Sequence, residues 1–254
     1  TDRQRYEICM QLYNEYEAFR FDSALVYANR TILYAKRMRN EKYLAEAQLK
    51  KVHVHTLAAF FVESRDLLDS IKVSTLDARL TQAFNDEWYL LMSLLAEYTA
   101  GTQLHASYEG RVEYYRRLIL ASPYKDTYAY VRAEMTELSE RGHTEKAIGI
   151  LENYLKRWRR TNHEYAMVCF DLAELYGKLG NSTKRLYYLV QSAISDVYSS
   201  SKENNSLRLL ADELFDQGDV ERAYNYMNVS IEDANFYGTR LRNIQNAHIL
   251  PRIF

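Results

Sequence analysis

Proline and glycine are scarce in this sequence, with 2 prolines and 8 glycines among 254 residues. Their scarcity excludes the many tight turns of a β-sandwich and the glycine-rich loops of most α/β enzymes. It favours long helices that are joined by short turns. The hydrophobic fraction of 47% and the charged fraction of 26% are typical of a folded chain rather than a disordered one.

Neither sign of charge is in excess, because the formal net charge is −1. Bulk electrostatics therefore gives no reason to expect nucleic acid or anionic lipid as a partner of this segment. The densest basic run, Lys156–Arg160, is interpreted as charge at the end of a helix, with phosphate binding as the alternative. No stretch reaches the roughly 18–20 apolar residues that a membrane helix requires. A membrane link is expected only through a segment beyond residue 254.

Motifs that carry chemistry are also absent. The two cysteines, Cys9 and Cys169, lie in apolar helical patterns, which predicts buried and reduced thiols. The closest histidines, His53 and His55, are two residues apart and would point in different directions on a helix, so they cannot both coordinate one metal ion. No phosphate loop, nucleophile elbow or zinc-protease motif occurs. We therefore expect no cofactor, no metal and no catalysis, with a repeat-fold enzyme as the remoter alternative.

What the sequence has instead is an internal repeat. Gly142, Gly180 and Gly218 recur at intervals of 38 residues. Each glycine ends one amphipathic stretch and a polar residue opens the next, which is the chemistry of one helix ending and another beginning. The apolar residues before and after these turns have helical spacing, as in Tyr165, Cys169, Leu172, Ala173 and Tyr176, and in Val220, Ala223, Tyr224, Met227 and Ile231. Each repeat is therefore predicted to be a pair of helices.

The spacing around these turns resembles the tetratricopeptide repeat. That repeat places a small residue in its first helix, a glycine seven residues later and a second small residue five further on. Ala211, Gly218 and Ala223 fit this pattern, whereas Arg185 stands where the repeat of Gly180 should carry alanine. The resemblance implies that successive pairs stack into a right-handed superhelix, an α-solenoid.

The domain organisation follows from the repeat. We expect a single all-α solenoid over residues 1–254, with about six helix pairs. Residues 1–121 would hold divergent repeats and residues 122–238 three clearer repeats of period 38. Residues 239–254 would form a helix that caps the last repeat.

Both prolines are interpreted as marks of helix boundaries. Ser122 and Pro123 have the order of an N-cap followed by a first-turn proline, which predicts the start of a helix. Pro251 disfavours helical geometry at the residue before it, so the closing helix is expected to kink or end at Leu250.

Beyond the repeat, the chain resembles the repeat-bearing sensory half of membrane-anchored regulators of Bacteroidetes. The similarity covers the whole chain and lies in its tyrosine-rich repeats, the Phe-Asp-Ser-Ala-x-x-Tyr-Ala segment at 21–28 and the closing segment at 239–251. It implies repeats on the periplasmic side of a bacterial inner membrane, followed by a membrane helix and a cytoplasmic signalling or DNA-binding segment. The expected function is a non-catalytic sensory domain. A cytoplasmic scaffold that holds a peptide segment of another protein is the alternative.

The concave groove of such a superhelix is lined by the first helix of each pair. By repeat register, the candidate binding residues are Arg132, Thr136, Phe170, Glu174, Asn205, Arg208 and Asp212. Mixed charge with one aromatic ring suits a peptide or protein partner, or a small polar ligand. A groove that holds only solvent is the alternative.

Overall fold

The structure is a computed structural model, and it describes residues 1–253. These residues are 79% helical and contain thirteen α-helices, one short 3-10 helix at Val73–Thr75 and no strand. The α-helices are α1 (Asp2–Tyr16), α2 (Phe21–Arg37), α3 (Glu41–Leu57), α4 (Phe61–Ser70), α5 (Ala78–Tyr98), α6 (His105–Leu120), α7 (Tyr128–Glu140), α8 (Thr144–Leu155), α9 (His163–Lys178), α10 (Ser182–Tyr198), α11 (Ser206–Asp216), α12 (Val220–Tyr237) and α13 (Arg240–Ile253). Twelve helices follow one another as six pairs, with α13 behind them. The prediction of an all-α fold of helix pairs with a closing helix is confirmed.

The chain divides into two compact units. The first comprises Thr1–Glu17 and Phe21–Tyr130, and the second comprises Ala18–Arg20 and the chain from Val131 onward. In the first unit, α1 packs on α2, α2 on α3, α3 on α4 and α5, and α5 on α6. In the second unit, α8 packs on α9, α9 on α10, α10 on α11, and α11 on α12. The assignment of the whole chain to one continuous domain stays a prediction.

Each unit has its own apolar core. In the first unit, α3, α4 and α5 share a cluster that includes Val52, Leu68 and Leu91, all without exposed surface. In the second unit, α9 to α13 share a larger cluster that is centred on residues such as Leu189 and Met227. No single helix could bury its apolar stripe alone, so packing between neighbours supplies most of the stability of these helices.

The closing helix α13 is part of the second core. It packs on both α11 and α12. Ile249 and Ile253 are each 7% exposed and belong to the same cluster as Leu214 and Met227. The expectation that the last segment covers the final repeat as a docked helix is therefore met by its packing.

The turn inside each clear repeat has one geometry. Gly142, Gly180 and Gly218 have φ values of 79°, 69° and 84°, in the left-handed region. The amide after the glycine donates to a carbonyl five residues back, as in Asn181 N to Tyr176 O at 2.9 Å. This bond satisfies a carbonyl that the end of the helix would otherwise leave without a partner. The helix ends that the sequence assigns to these glycines are therefore left-handed turns.

The same turn occurs where the sequence has no glycine. Arg39, Ala59 and Ser200 have φ values of 51°, 67° and 55° at the ends of α2, α3 and α10. After Ala59, the amide of Phe60 donates to His55 O at 2.8 Å, which repeats the bond of the glycine turns. The first unit thus uses the turn of the clear repeats with a less favourable residue in it.

The predicted helix start at Ser122 and Pro123 is wrong. Helix α6 ends at Leu120 and α7 begins only at Tyr128, so both residues lie in the connection. The cap of α7 is instead Thr127, whose Oγ1 accepts from Tyr130 N at 3.3 Å. Ser122 does not cap α7, because its hydroxyl accepts from Tyr124 N at 3.3 Å within the connection and donates to the Gln82 side chain of α5.

Of the two outcomes predicted at Leu250, an end of the helix is wrong, and a kink stays a prediction. Helix α13 continues through Pro251 to Ile253. A proline in a helix removes one backbone hydrogen bond and crowds the preceding turn. Burial of Ile253 in the second core offsets that cost, because the helix must continue to place this side chain there.

Candidate functional site

The predicted binding residues of α7 and α9 lie beside an ion pair. Arg132 Nε is 3.9 Å from Asp171 Oδ1 on α9, and the Asp171 side chain is only 6% exposed. Thr136 lies one turn after Arg132 and donates to its carbonyl oxygen at 2.8 Å, so this hydroxyl is used within the helix. The structure thus brings Arg132 to α9, where Phe170 precedes Asp171 in the chain.

Phe170 and Glu174 are four residues apart on α9 and therefore share one face of it. Phe170 is half-buried and Glu174 is exposed. With Arg132 from α7, they give a surface of one cation, one anion and one aromatic ring. This is the mixture that the sequence predicted.

The third group of predicted residues belongs to α11. Asn205 precedes the helix, and its Oδ1 accepts from Arg208 Nη2 at 3.1 Å. Asp212, one turn further on than Arg208, forms an ion pair with Arg252 of α13. Arg252 also reaches Asp216 Oδ1 at 2.5 Å. We call Arg132, Thr136, Phe170, Glu174, Asn205, Arg208 and Asp212 the α7–α9–α11 face, and their role in binding stays a prediction.

Sequence reasoning missed a buried polar network around the connection from α10 to α11. Glu203 in this connection is 7% exposed, and its carboxylate is 2.5 Å from the Arg242 guanidinium of α13. Lys202 Nζ is 2.6 Å from Asp233 of α12, which also accepts from Asn204 Nδ2 at 3.3 Å. Polar loop composition normally predicts exposure, so nothing in the sequence marks this connection as an internal anchor of α12 and α13.

A serine, a histidine and an aspartate meet at the start of α11, but not as a catalytic triad. Ser206 Oγ donates to Asp196 Oδ2 at 2.6 Å, while His163 Nδ1 lies 3.6 Å from Asp196 Oδ1. Both groups therefore use the carboxylate, and the geometry gives no contact in which the imidazole would activate the hydroxyl. Burial lowers the pKa of His163, but Asp196 and Glu203 raise it more, so it lies above its ordinary value. The cluster is a structural ion pair.

His53 occupies a comparable position in the first unit. Its Nδ1 is 3.1 Å from Glu87 of α5, and its Nε2 is 3.7 Å from Glu17 at the end of α1. Burial lowers the pKa of His53, but the two carboxylates raise it to about 9. The ring is thus a cation at neutral pH that ties three helices together. Among residues 1–253, no cluster of histidine, cysteine and carboxylate groups could hold a metal ion.

The two thiols are buried and free of disulfide bonds, as expected. Burial raises the pKa of Cys169 to about 12, which leaves almost no thiolate at neutral pH. Within the part of the chain that the structure describes, no helix is long and apolar enough to span a membrane.

Helix pairs with one recurring turn define a tetratricopeptide-repeat protein. More specifically, residues 1–248 match the family described as the SusR N-terminal TPR domain. Because the match covers almost the whole chain, the chain belongs to this family. A search of the curated proteins found no match.

Proposed function

We propose that this domain is the non-catalytic, sensory part of a SusR-type regulator and that the α7–α9–α11 face binds its ligand or partner. Membership of the SusR family over residues 1–248 supports the regulatory role. Repeats of this type generally act by binding rather than by catalysis, and the Ser206–Asp196–His163 geometry fits a structural cluster better than a catalytic one.

The observation that carries the proposal is the ion pair between Asp212 and Arg252. It joins the predicted binding face to α13, the last helix of the domain. A bound group that competes for Asp212 releases Arg252 and changes the packing of α13 on α11. A ligand shifts such an equilibrium only by its different affinity for the two states, and this competition supplies that difference.

The chemistry of the face suits a peptide or protein partner, or a small polar ligand. Arg132 and Arg208 offer cations, Glu174 an anion and Phe170 an aromatic surface, so a few anchors of different kind would select the ligand. We place the domain on the periplasmic side of a bacterial inner membrane, as its resemblance to membrane-anchored regulators suggests. A cytoplasmic scaffold is the alternative, and an apolar run of about 20 residues after the domain distinguishes the two.

The test replaces two anchors of the face in the full-length protein in its host. Phe170→Ala with Arg208→Ala should abolish the transcript changes that depend on the intact gene, at an unchanged protein level. Tyr198→Ala with Arg159→Ala removes one aromatic ring and one arginine from exposed positions elsewhere in the second unit and should leave transcription unchanged. The proposal would be overturned if cells with the Phe170→Ala and Arg208→Ala variant kept wild-type transcript levels, or if deletion of the gene altered no transcript.

A further inference from the structure

A cavity of about 220 Å³ lies in the first unit, between α5 and the connection from α6 to α7. It is smaller than the roughly 300–1,000 Å³ of most small-molecule sites and corresponds to about seven waters of liquid volume. Six of the seven residues that line it are of polar or charged types, namely Arg79, Gln82, Asp86, Tyr124, Asp126 and Thr127.

The neutral polar groups of this lining bind one another. Gln82 Nε2 donates to Thr127 Oγ1 at 2.7 Å and to Tyr124 O at 3.3 Å. The other end of the same amide accepts from the Ser122 hydroxyl. Thr127 Oγ1 in turn donates to Tyr124 O at 3.1 Å. These bonds fix the wall of the cavity, and they leave little capacity there for a neutral ligand.

Asp86 is different. One of its carboxyl oxygens is buried and has no hydrogen-bond partner among residues 1–253. Burial, together with the charge of Glu87, raises the pKa of Asp86 to about 8. Glu87 itself faces His53 at 3.1 Å, so its charge is balanced within the protein. At neutral pH the carboxyl of Asp86 is therefore mostly protonated. Its ionised form lacks a counter-ion, and a cation in the cavity that Asp86 lines would supply one.

We propose that this cavity binds a small organic amine as its ammonium cation, with Asp86 as the counter-ion. Asp126 adds a second carboxylate at the same cavity, on its exposed side. Arg79 lines the same cavity two helical turns before Asp86, about 10 Å along the helix axis, and it is not among the charges that shift the pKa of Asp86. Tyr124 and Ala83 give the carbon part of the amine an apolar contact.

A metal ion fits the cavity less well than an amine. No group of three or more histidine, cysteine or carboxylate residues in the described chain could hold one. An ammonium group needs only one or two carboxylates to balance its charge. Its three N–H donors can bind the carboxylate oxygens of Asp86 and Asp126. The site does not use the α7–α9–α11 face, so it is independent of the proposed function.

The experiment titrates the full-length protein with cyclohexylamine and with the neutral isostere cyclohexanol by calorimetry. The amine should bind and the alcohol should not. At pH 7, binding should release close to one proton, because Asp86 loses its proton to pair with the ammonium; at pH 9.5 the release should disappear. Two buffers with different ionisation enthalpies measure the released proton. The other titratable groups around Asp86 are Glu87, His53, Arg79, Tyr124 and Asp126.

Two variants complete the test. Asp86→Asn should weaken the amine about tenfold or more, since the charged partner is lost. Asp69→Asn makes the same change at an exposed carboxylate of α4 and should leave the affinity unchanged. Equal binding of amine and alcohol, undiminished binding by Asp86→Asn, or an absence of binding would overturn the proposal. If Asp86→Asn does not fold, proton release by the wild type decides: none at pH 7 would also overturn it.

Discussion

The carboxylate of Glu203 lies 2.5 Å from the guanidinium of Arg242, and the two side chains are only 8% and 12% exposed. Glu203 belongs to the connection between α10 and α11, and Arg242 to the first turn of α13. Their contact therefore fixes the last helix of the domain to a connection that is nearly 40 residues earlier in the chain. Removing one partner of such a pair leaves an uncompensated charge in the interior.

We predict that Glu203→Leu and Arg242→Met each lower the free energy of unfolding by about 3–5 kcal/mol. The double variant should recover most of this loss, because two apolar side chains of similar volume leave no buried charge. Urea denaturation of the four proteins measures the effect. If the double variant lost as much free energy of unfolding as the two single variants together, the two side chains would stabilise the protein independently. That result would contradict the account of a buried ion pair.

The left-handed turn predicts opposite effects of one substitution at two glycines. Gly218 has φ of 84°, and a Cβ there meets no atom within 4 Å, so Gly218→Ala changes only the backbone energy. It should cost about 1 kcal/mol or more. Gly149 lies inside α8 with equally open surroundings, and Gly149→Ala should stabilise by roughly 0.5–1 kcal/mol. Thermal melting compares them, and shifts of the same sign would contradict the turn assignment.

Arg39 offers the reverse test of that turn. It is exposed and has φ of 51°, so at the end of α2 it holds the left-handed conformation that glycine holds at the ends of α7, α9 and α11. Arg39→Gly should raise the free energy of unfolding by about 0.5–1 kcal/mol, because glycine adopts this conformation without strain. The same melting experiment measures it, and a destabilised variant would mean that contacts of the arginine outweigh the strain.

The charge of His53 predicts a pH dependence. Its pKa in the folded protein is about 9, above the 6.5 of an unperturbed histidine. The stabilisation is therefore complete below pH 6.5 and is lost as the pH rises through 9. The difference in unfolding free energy between wild type and His53→Gln should shrink by about 2–3 kcal/mol between pH 6 and pH 9.5. A constant difference would contradict the ion pairs with Glu17 and Glu87.

His55 serves as the control of opposite sign. Burial, and then the charge of Lys51, lowers its pKa below the ordinary value. Its neutral form is therefore favoured in the folded protein, and the wild type should lose stability relative to His55→Gln as the pH falls below 6.5. Urea unfolding at several pH values measures both histidines in one series.

Arg185 departs from the repeat pattern, which places alanine at this position, and its contact with Gly177 explains the departure. A Cβ added to Gly177 would lie 2.9 Å from Arg185 Nη1. The arginine that replaces the expected alanine thus packs over a glycine of α9, and its Nε is 3.2 Å from Glu213 of α11. We predict that Gly177→Ala stabilises the protein by about 1 kcal/mol only when Arg185→Ala is also present. A double-mutant cycle without coupling would refute this packing.

Particular residues show how far the sequence could predict the fold. The repeats of the second unit were visible because Gly142, Gly180 and Gly218 each hold a left-handed turn. Ala59 holds the same turn between α3 and α4 with a Cβ, so no glycine marks that repeat in the sequence. The helix start assigned to Ser122 failed because its hydroxyl accepts from Tyr124 N within the connection and donates to Gln82, a side chain 40 residues earlier.

The candidate site was predictable only in part. Repeat register gave Arg132, Phe170 and Arg208, because their positions depend on local helical spacing. It could not give Arg252 as the partner of Asp212, or the lack of a partner at Asp86, since both depend on tertiary packing between distant segments. Contacts between distant segments leave no periodic pattern of residues in a single sequence, so sequence analysis could not find them.

The central claim is that events at the α7–α9–α11 face reach α13 through Asp212 and Arg252. Hydrogen exchange of the full-length protein tests it when Asp212→Asn mimics neutralisation of that carboxylate by a bound group. Wild-type amides from Leu241 to Ile249 should exchange slowly, because α13 is docked on α11 and α12. Asp212→Asn should speed exchange in α13 and leave α3 unchanged. Exchange of wild-type α13 at unfolded rates, or identical exchange in the variant, would contradict the account.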